Sequence, residues 1–372
     1  MKKNLFLFII ACLFIITPSF SQHRKDTCLK FFGSIRLRAE FDRDSENTDG
    51  SFLPDNNLLK LRFRFGVKYY KKNWEGGARI RTGNPIFPQS ADIILGNTFN
   101  NKQLSLDKAY IKYSYENAYV WAGKNSINLW QPDQLLWDMD INPEGIGLGK
   151  KIYLDRAGQL QIISGYFIEN QNKTGNNIDS QILFAQLNYQ NRLFYNSGIN
   201  IVPGFLHGTS IPTDETNLDY QIFFAYFRFI TLKSRLKFHF DYFYNFKDYS
   251  LINPSFSHKN TGFALHGHFA VSKKIHTGIT YAHIEKYAVA ESLAQNDWSR
   301  YPNMDITKNG EVVYRYSQAS NFKGWKFSVK YKIDRNIYTD IKFYKTQIIK
   351  TTTGDTALAG NNRLQWSFVY KF

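Results

Sequence analysis

The last ten residues, RLQWSFVYKF, alternate in character. Leu364, Trp366, Phe368, Tyr370 and Phe372 form one set, and Arg363, Gln365, Ser367 and Lys371 fall between them, with only Val369 out of pattern. Successive side chains of a strand point to opposite faces, so this segment has one apolar and one wet face. The same period of two recurs along the chain between turn residues and predicts sixteen strands. They fall near 31–41, 58–70, 74–83, 104–115, 117–124, 145–154, 158–169, 180–190, 192–202, 219–231, 234–246, 261–272, 274–287, 322–333, 336–347 and 362–372. Most have at least the roughly 9–11 residues that a tilted strand needs to cross a bilayer.

The connections alternate in length. Short turns at 71–73, 116, 154–158, 191, 232–234, 273 and 334–336 take turns with long polar segments at 42–57, 84–103, 125–144, 170–179, 203–218, 247–260, 288–321 and 348–361. A soluble sandwich has no reason to keep such order. The pattern predicts an all-β fold, a transmembrane antiparallel up-and-down β-barrel of about 16 strands, whose last strand pairs with the first so that no open edge meets lipid. No linker or second composition regime interrupts it, so residues 22–372 read as a single barrel domain.

Residues 1–21 read as a cleaved signal peptide: Lys2 and Lys3, an apolar run over 5–16, then Pro18 and the small Ser19 and Ser21. The run is shorter than the roughly 20 residues of a membrane-spanning helix. Aromatic residues make up 17% of the chain while mean hydropathy is −0.41, a combination that suits strands with one lipid face and one water face. The formal net charge of +16 would admit nucleic acid as a partner, but an exported chain rarely meets it. Beyond the leader only Cys28 remains, which excludes an intrachain disulfide and the usual cysteine metal patterns.

The basic residues occupy the wet faces. Arg36 and Arg38 lie on the first strand, Arg62 and Arg64 on the second, and Arg79 and Arg81 on the third. Lys326, Lys330 and Lys332 follow on the fourteenth, Lys342 on the fifteenth, and Arg363 and Lys371 on the sixteenth. A Lys or Arg facing lipid at mid-membrane costs about 2–4 kcal/mol, so these side chains are expected to face the lumen. Closure makes the six strands neighbours and gives the lumen one basic side, which implies water there. The third long segment, SINLWQPDQLLWDMDINPEG, carries Asp133, Asp138, Asp140 and Glu144 among Trp130, Leu135, Leu136 and Trp137. An apolar loop bounded by prolines needs something to pack against. It is expected to fold inward, with its carboxylates facing the arginines.

From 35 to 148 the ordered series IRLRAEF, LRFRFGVKYYKKNWEGGARIRTGNP, LGNTF, LDKAYIKY, AGKNSINLW and LLWDMDINPEGIGL resembles the bacterial outer-membrane family labelled "putative porin". The resemblance implies a β-barrel channel in the outer membrane for small hydrophilic solutes, and sixteen-stranded porins narrow their pore with the third loop. The residues add further expectations: passive diffusion favouring anions through the excess of Lys and Arg, with no enzymatic activity, no cofactor and no nucleic acid. The lipid bilayer is an expected partner, and a homotrimer is the usual state of barrels this wide. Trp366, Phe368, Tyr370 and Phe372 resemble the signal that such chains present to the barrel-assembly machinery. Two rival readings remain: a substrate-specific or polymer-export channel, and an adhesive or structural barrel filled by its own side chains.

Other motifs carry less. GIGLGK at 145–150 resembles a phosphate-binding loop but leads into a strand, where no helix N-terminus is available. His239, His266, His268 and His276 share the wet face of adjacent strands, where a metal or hydrogen bonds to water and Asp241 would satisfy them. Tyr70, Tyr110, Tyr226, Tyr338 and Tyr344 could line the lumen as an aromatic ladder. Asn172 heads a formal glycosylation triplet. No serine sits in a nucleophile setting.

Overall fold

The structure, a computed structural model, describes residues 27–45, 54–84, 89–96, 102–155, 158–170, 179–193, 197–212, 217–252, 254–298, 305–308, 311–315, 319–350 and 360–372. The expected signal peptide and Asn172 lie outside the described residues. Sixteen strands run antiparallel around a closed barrel. The first half comprises β1 (Thr27–Arg43), β2 (Asn56–Lys71), β3 (Trp74–Thr82), β4 (Leu104–Tyr115), β5 (Ala118–Lys124), β6 (Glu144–Tyr153), β7 (Gln159–Asn170) and β8 (Ser180–Arg192). The second comprises β9 (Gly198–Pro212), β10 (Asn217–Thr231), β11 (Leu236–Asn245), β12 (Thr261–Ala270), β13 (Ile275–Ile284), β14 (Phe322–Lys332), β15 (Ile337–Ile348) and β16 (Gly360–Lys371). Ile93–Ile94 adds two residues of pairing on β2, and Asp305–Lys308 pairs with Glu311–Arg315 in a separate hairpin.

Closure follows from the sequence pattern at both ends. β1 and β16 pair from Ser34 opposite Lys371 to Arg43 opposite Asn362. Phe372 extends the ladder, exchanging main-chain bonds with Gly33 at 2.9 and 3.2 Å. With every strand paired on both sides, no row of N–H and C=O groups is left facing hydrocarbon. Ile35, Leu37, Phe65, Trp366, Phe368 and Tyr370 are exposed on the outer face, and the intervening polar residues turn inward.

Strand nine departs from the sequence expectation. It runs over Gly198–Pro212 rather than 192–202, so most of the segment expected as the loop 203–218 is strand. Pro203 and Gly204 looked like a turn, but each has a place in the sheet. The ladder between β9 and β8 skips from Ile201 to Gly204, where Pro203 has no N–H to donate. Gly204 leaves room for the fully buried Phe224 ring on β10.

The interior is divided. Along β7 to β13 the inward side chains include Phe167, Phe184, Leu206, Phe224, Tyr226 and Phe243, all nearly inaccessible, and they pack with Leu135, Leu136 and Trp137 of the third loop and with Leu293 of the seventh. That half of the lumen is a dry core of the kind usual in soluble proteins. Water has the other half. A Cβ at Gly204 would collide with the Phe224 ring and stand 2.8 Å from the Ala185 carbonyl oxygen. Gly204→Val is therefore expected to destabilise the barrel by about 1–3 kcal/mol. The check is the temperature at which detergent-folded protein loses its heat-modifiable migration in gels, and an unchanged temperature would refute the assignment of strand nine.

Candidate functional site

A row of arginines in a confined lumen requires counter-charge, and the barrel supplies it from strands and loops together. Arg36 and Arg38 reach Asp92 of the second external loop at 2.5 and 3.6 Å, and Arg38 also reaches Asp297 of the seventh at 3.3 Å. Arg62 and Arg64 hold Asp140 of the third loop at 3.3 and 2.6 Å. Asp107 on β4 takes Arg79 at 2.5 Å, with Arg81 and Arg64 at 3.6 and 3.9 Å. Nearer the long-loop end, Lys60 pairs with Glu40 and Arg363 with Asp42, each at 2.7 Å.

Asp107 reaches this position through a β-bulge. The register between β3 and β4 shifts so that Arg79 opposes Lys108 and Ile80 opposes Leu106, leaving Asp107 as the extra residue. A bulge turns two successive side chains to one face. Buried Asp107 and its neighbour Lys108 both serve the lumen as a result. The sequence carries a trace of it: the apolar set runs on even positions at Leu104 and Leu106, then on odd positions at Ala109 and Ile111. Asp92, Asp107 and Asp297 are the site residues that the sequence reading missed.

The third loop crosses the lumen. Trp130 is clasped by the Gln186 side-chain amide, which accepts from its N–H and donates to its carbonyl, both at 2.9 Å. Its ring lies under the Arg228 guanidinium at 5.1 Å and parallel to His239. Asp133 pairs with Lys326 of β14 and accepts from Gln295 of the seventh loop at 2.9 Å. Trp137 is buried against Phe167, and Asp140 then arrives at the arginines, where Arg81 donates to its carbonyl oxygen at 2.8 Å. The seventh loop lies along the third, with main-chain bonds Asp138 to Leu293 at 2.6 Å and Gln295 to Gln134 at 3.0 Å.

Two of the four loop carboxylates do other work than expected. Glu144 opens β6, is exposed, and pairs with Lys124 at 2.9 Å rather than facing the arginines. Its position, two residues before the outward Ile146, sends it away from the lumen. Asp138 is buried without an arginine; it accepts the Asp140 N–H at 2.7 Å and so folds the turn that presents Asp140. Burial, with Asp140 close by, pushes the Asp138 carboxyl well above its ordinary value. Asp140 and Asp133 move the other way: burial opposes ionisation, but Arg64, Arg62 and Arg36 for the first, and Lys326 and His266 for the second, outweigh it. Both stay charged.

Around these groups the wet half of the lumen forms two cavities. The one at the short-turn end holds about 920 Å³ and the one at the long-loop end about 460 Å³. Arg36, Arg38, Arg62, Gln134, Asp140 and Lys342 line both and form the girdle between them. Lys330 and Lys371 line the lower cavity, Lys326 is taken by Asp133, and Lys332 is exposed at the barrel end beyond the cavity.

The decoy motifs resolve simply. His266 bridges Asp241 and Thr280 at 3.1 Å each, and among the described residues no cluster of His, Cys, Asp or Glu has the arrangement of a metal site. GIGLGK lies within the strand β6. Tyr226 and Tyr344 belong to the dry packing, so the tyrosines do not form a ladder; of the five, Tyr338 lines the lower of these two cavities.

A closed sixteen-stranded barrel with a water-accessible lumen narrowed by inward loops defines a porin-type channel of the bacterial outer membrane. The sequence matches the family model described as "Putative porin" over residues 34–314, and the chain belongs to that family. Its fold is similar to Salmonella typhi OmpF in complex with daunomycin, at TM-score 0.58 and 11% identity, covering 92% of this chain and 97% of that one. It is also similar to Pseudomonas putida OprB, at 0.56 and 11% identity over 92% and 94% of the two chains. A triple mutant of Rhodopseudomonas blastica porin gives 0.54 and 9% identity over 93% and 100%. No curated protein matches the sequence.

The contrast between two neighbouring carboxylates is testable. Asp140→Asn strips Arg62 and Arg64 of their counter-charge and is expected to shift the reversal potential toward that of chloride, at a cost of roughly 1–3 kcal/mol because cavity water rehydrates the arginines in part. Asp138→Asn keeps the turn-forming acceptor and removes a carboxyl that burial disfavours as an anion, so selectivity in planar bilayers should hold. Equal effects of the two substitutions would contradict the assignment.

Proposed function

We propose that this porin passes small hydrophilic solutes by passive diffusion with a preference for anions, without bond chemistry and without a cofactor. One observation carries the reading: the lower cavity is lined by nine Lys and Arg side chains against two Asp, an excess that remains when Asp92, Asp107 and Asp297, which pair with its arginines, are counted, whereas the upper one has six basic and six acidic side chains. A cavity of one sign with low-dielectric walls concentrates the opposite ion, an effect that falls with ionic strength. The girdle and the third loop set the size limit in this reading.

Reversal potential in a planar bilayer under a potassium chloride gradient tests it. A potential on the chloride side at about 0.1 M salt, shrinking toward zero near 1 M as screening tightens, is the expected result. Cation preference would overturn the anion assignment, and absence of conductance from folded protein would favour a plugged or adhesive barrel.

The same reading takes the outward aromatic residues Trp366, Phe368, Tyr370 and Phe372 as the contact for the barrel-assembly machinery, and a homotrimer as the assembled state by analogy with barrels of this width. Support comes from the exposure of all four side chains on the closing strand. Deleting Phe372 is expected to lower the amount of folded barrel recovered from outer membranes while synthesis continues; undiminished recovery would remove the role.

A further inference from the structure

The arginines that dominate the sequence are occupied. Arg36, Arg38, Arg62, Arg64 and Arg79 each have a carboxylate within 4 Å, so little of their charge is left for a solute passing by. Lysines of the lower cavity are in another condition. Lys330, Lys342 and Lys371 have no carboxylate within salt-bridge distance among the described residues, and neither has Lys108 across the cavity, which donates to the neutral Asn125 and Ser126 side chains at 3.3 and 2.6 Å.

We propose that Lys330, Lys342 and Lys371 form a saturable binding site for small polyvalent oxyanions in the lower cavity. The proposal rests on the anion-channel reading above and names a solute class within it. The three lysines stand on the consecutive strands β14, β15 and β16, all facing the same water. Tyr338 draws two of them together: the Lys330 ammonium lies 3.7 Å from its ring centroid and that of Lys371 5.5 Å. Lysine ammoniums are compact point charges on flexible stems, so several can converge on one anion. Ser34 adds a hydroxyl to the same lining.

Asp340 moderates the site. It faces Lys330 across the β14–β15 pair and lines the same cavity, which weakens the hold on any anion. A divalent oxyanion that meets the Lys330 and Lys371 ammoniums together, with Lys342 further along the same lining, gains about twice the attraction that chloride does from the same lysines. With about 920 Å³ the cavity has room for the anion and its remaining water, so the site is a resting place on the path and leaves the lumen open.

The experiment adds sulfate, a divalent anion whose charge does not change near neutral pH, to the full-length protein in a planar bilayer carrying chloride current at low ionic strength. Sulfate is expected to lower the chloride current saturably. In the double variant Lys330→Gln/Lys371→Gln the sulfate concentration for half-block should rise at least about tenfold, as two screened charge contacts are lost. Asp340→Asn should lower it. Lys332→Gln, on the same strand beyond the cavity, should leave it unchanged. Persistence of the block in the double variant, or no block in a channel that still prefers chloride, would overturn the site while leaving the anion channel intact. Block of equal strength by a monovalent oxyanion such as nitrate would overturn the preference for charge. A cation-preferring wild type would instead count against the channel reading itself.

Discussion

Pairing of β1 with β16 is the constraint on which everything else rests. Hydrocarbon offers no partner to a backbone N–H or C=O, so a sheet in a membrane must close on itself. Once it has closed, each residue has one of two environments, and a strand's period of two assigns them. The aromatic residues before Phe372 take the lipid, and Arg363, Gln365 and Lys371 between them take the interior. The same partition drives Arg36, Arg38, Arg62 and Arg64 to one side of the lumen, where no single strand could have gathered them.

That concentration of positive charge in turn shapes the loops. Guanidinium groups in a narrow space need carboxylates nearby, and three separate external loops supply them: Asp92 from the second, Asp140 from the third and Asp297 from the seventh. Ion pairs of this kind return less than they appear to, because each partner gives up hydration to form them. Much of the loops' anchoring must therefore come from elsewhere. Leu135, Leu136 and Trp137 of the third loop, with Leu293 of the seventh, bury themselves against Phe167 and the apolar half of the lumen. Hydrophobic packing at one wall thus holds the carboxylates in place at the other. The resulting charge distribution is uneven along the axis, balanced toward the long loops and strongly basic toward the short turns.

The sequence determined by itself whatever depends on local period. Sixteen strands and, except at 203–218, the alternation of short and long connections were legible because the strand repeat acts on every residue alike. Where the repeat was broken on purpose, reading failed: Pro203 and Gly204 resembled a turn though one skips a ladder bond and the other makes room for Phe224. Likewise the bulge that turns Asp107 inward left only a change of parity after Leu106. Loop residues have no repeat to follow, so only the folded barrel decided that Asp140 meets Arg62 and Arg64, that Asp138 turns to the backbone, and that Glu144 leaves the lumen altogether. It also decided that half of the interior is dry and that Lys330, Lys342 and Lys371, unlike the arginines of the girdle, have no carboxylate within salt-bridge distance among the described residues, since pairing depends on distance between residues far apart in the chain and alternation records only the face on which each one stands.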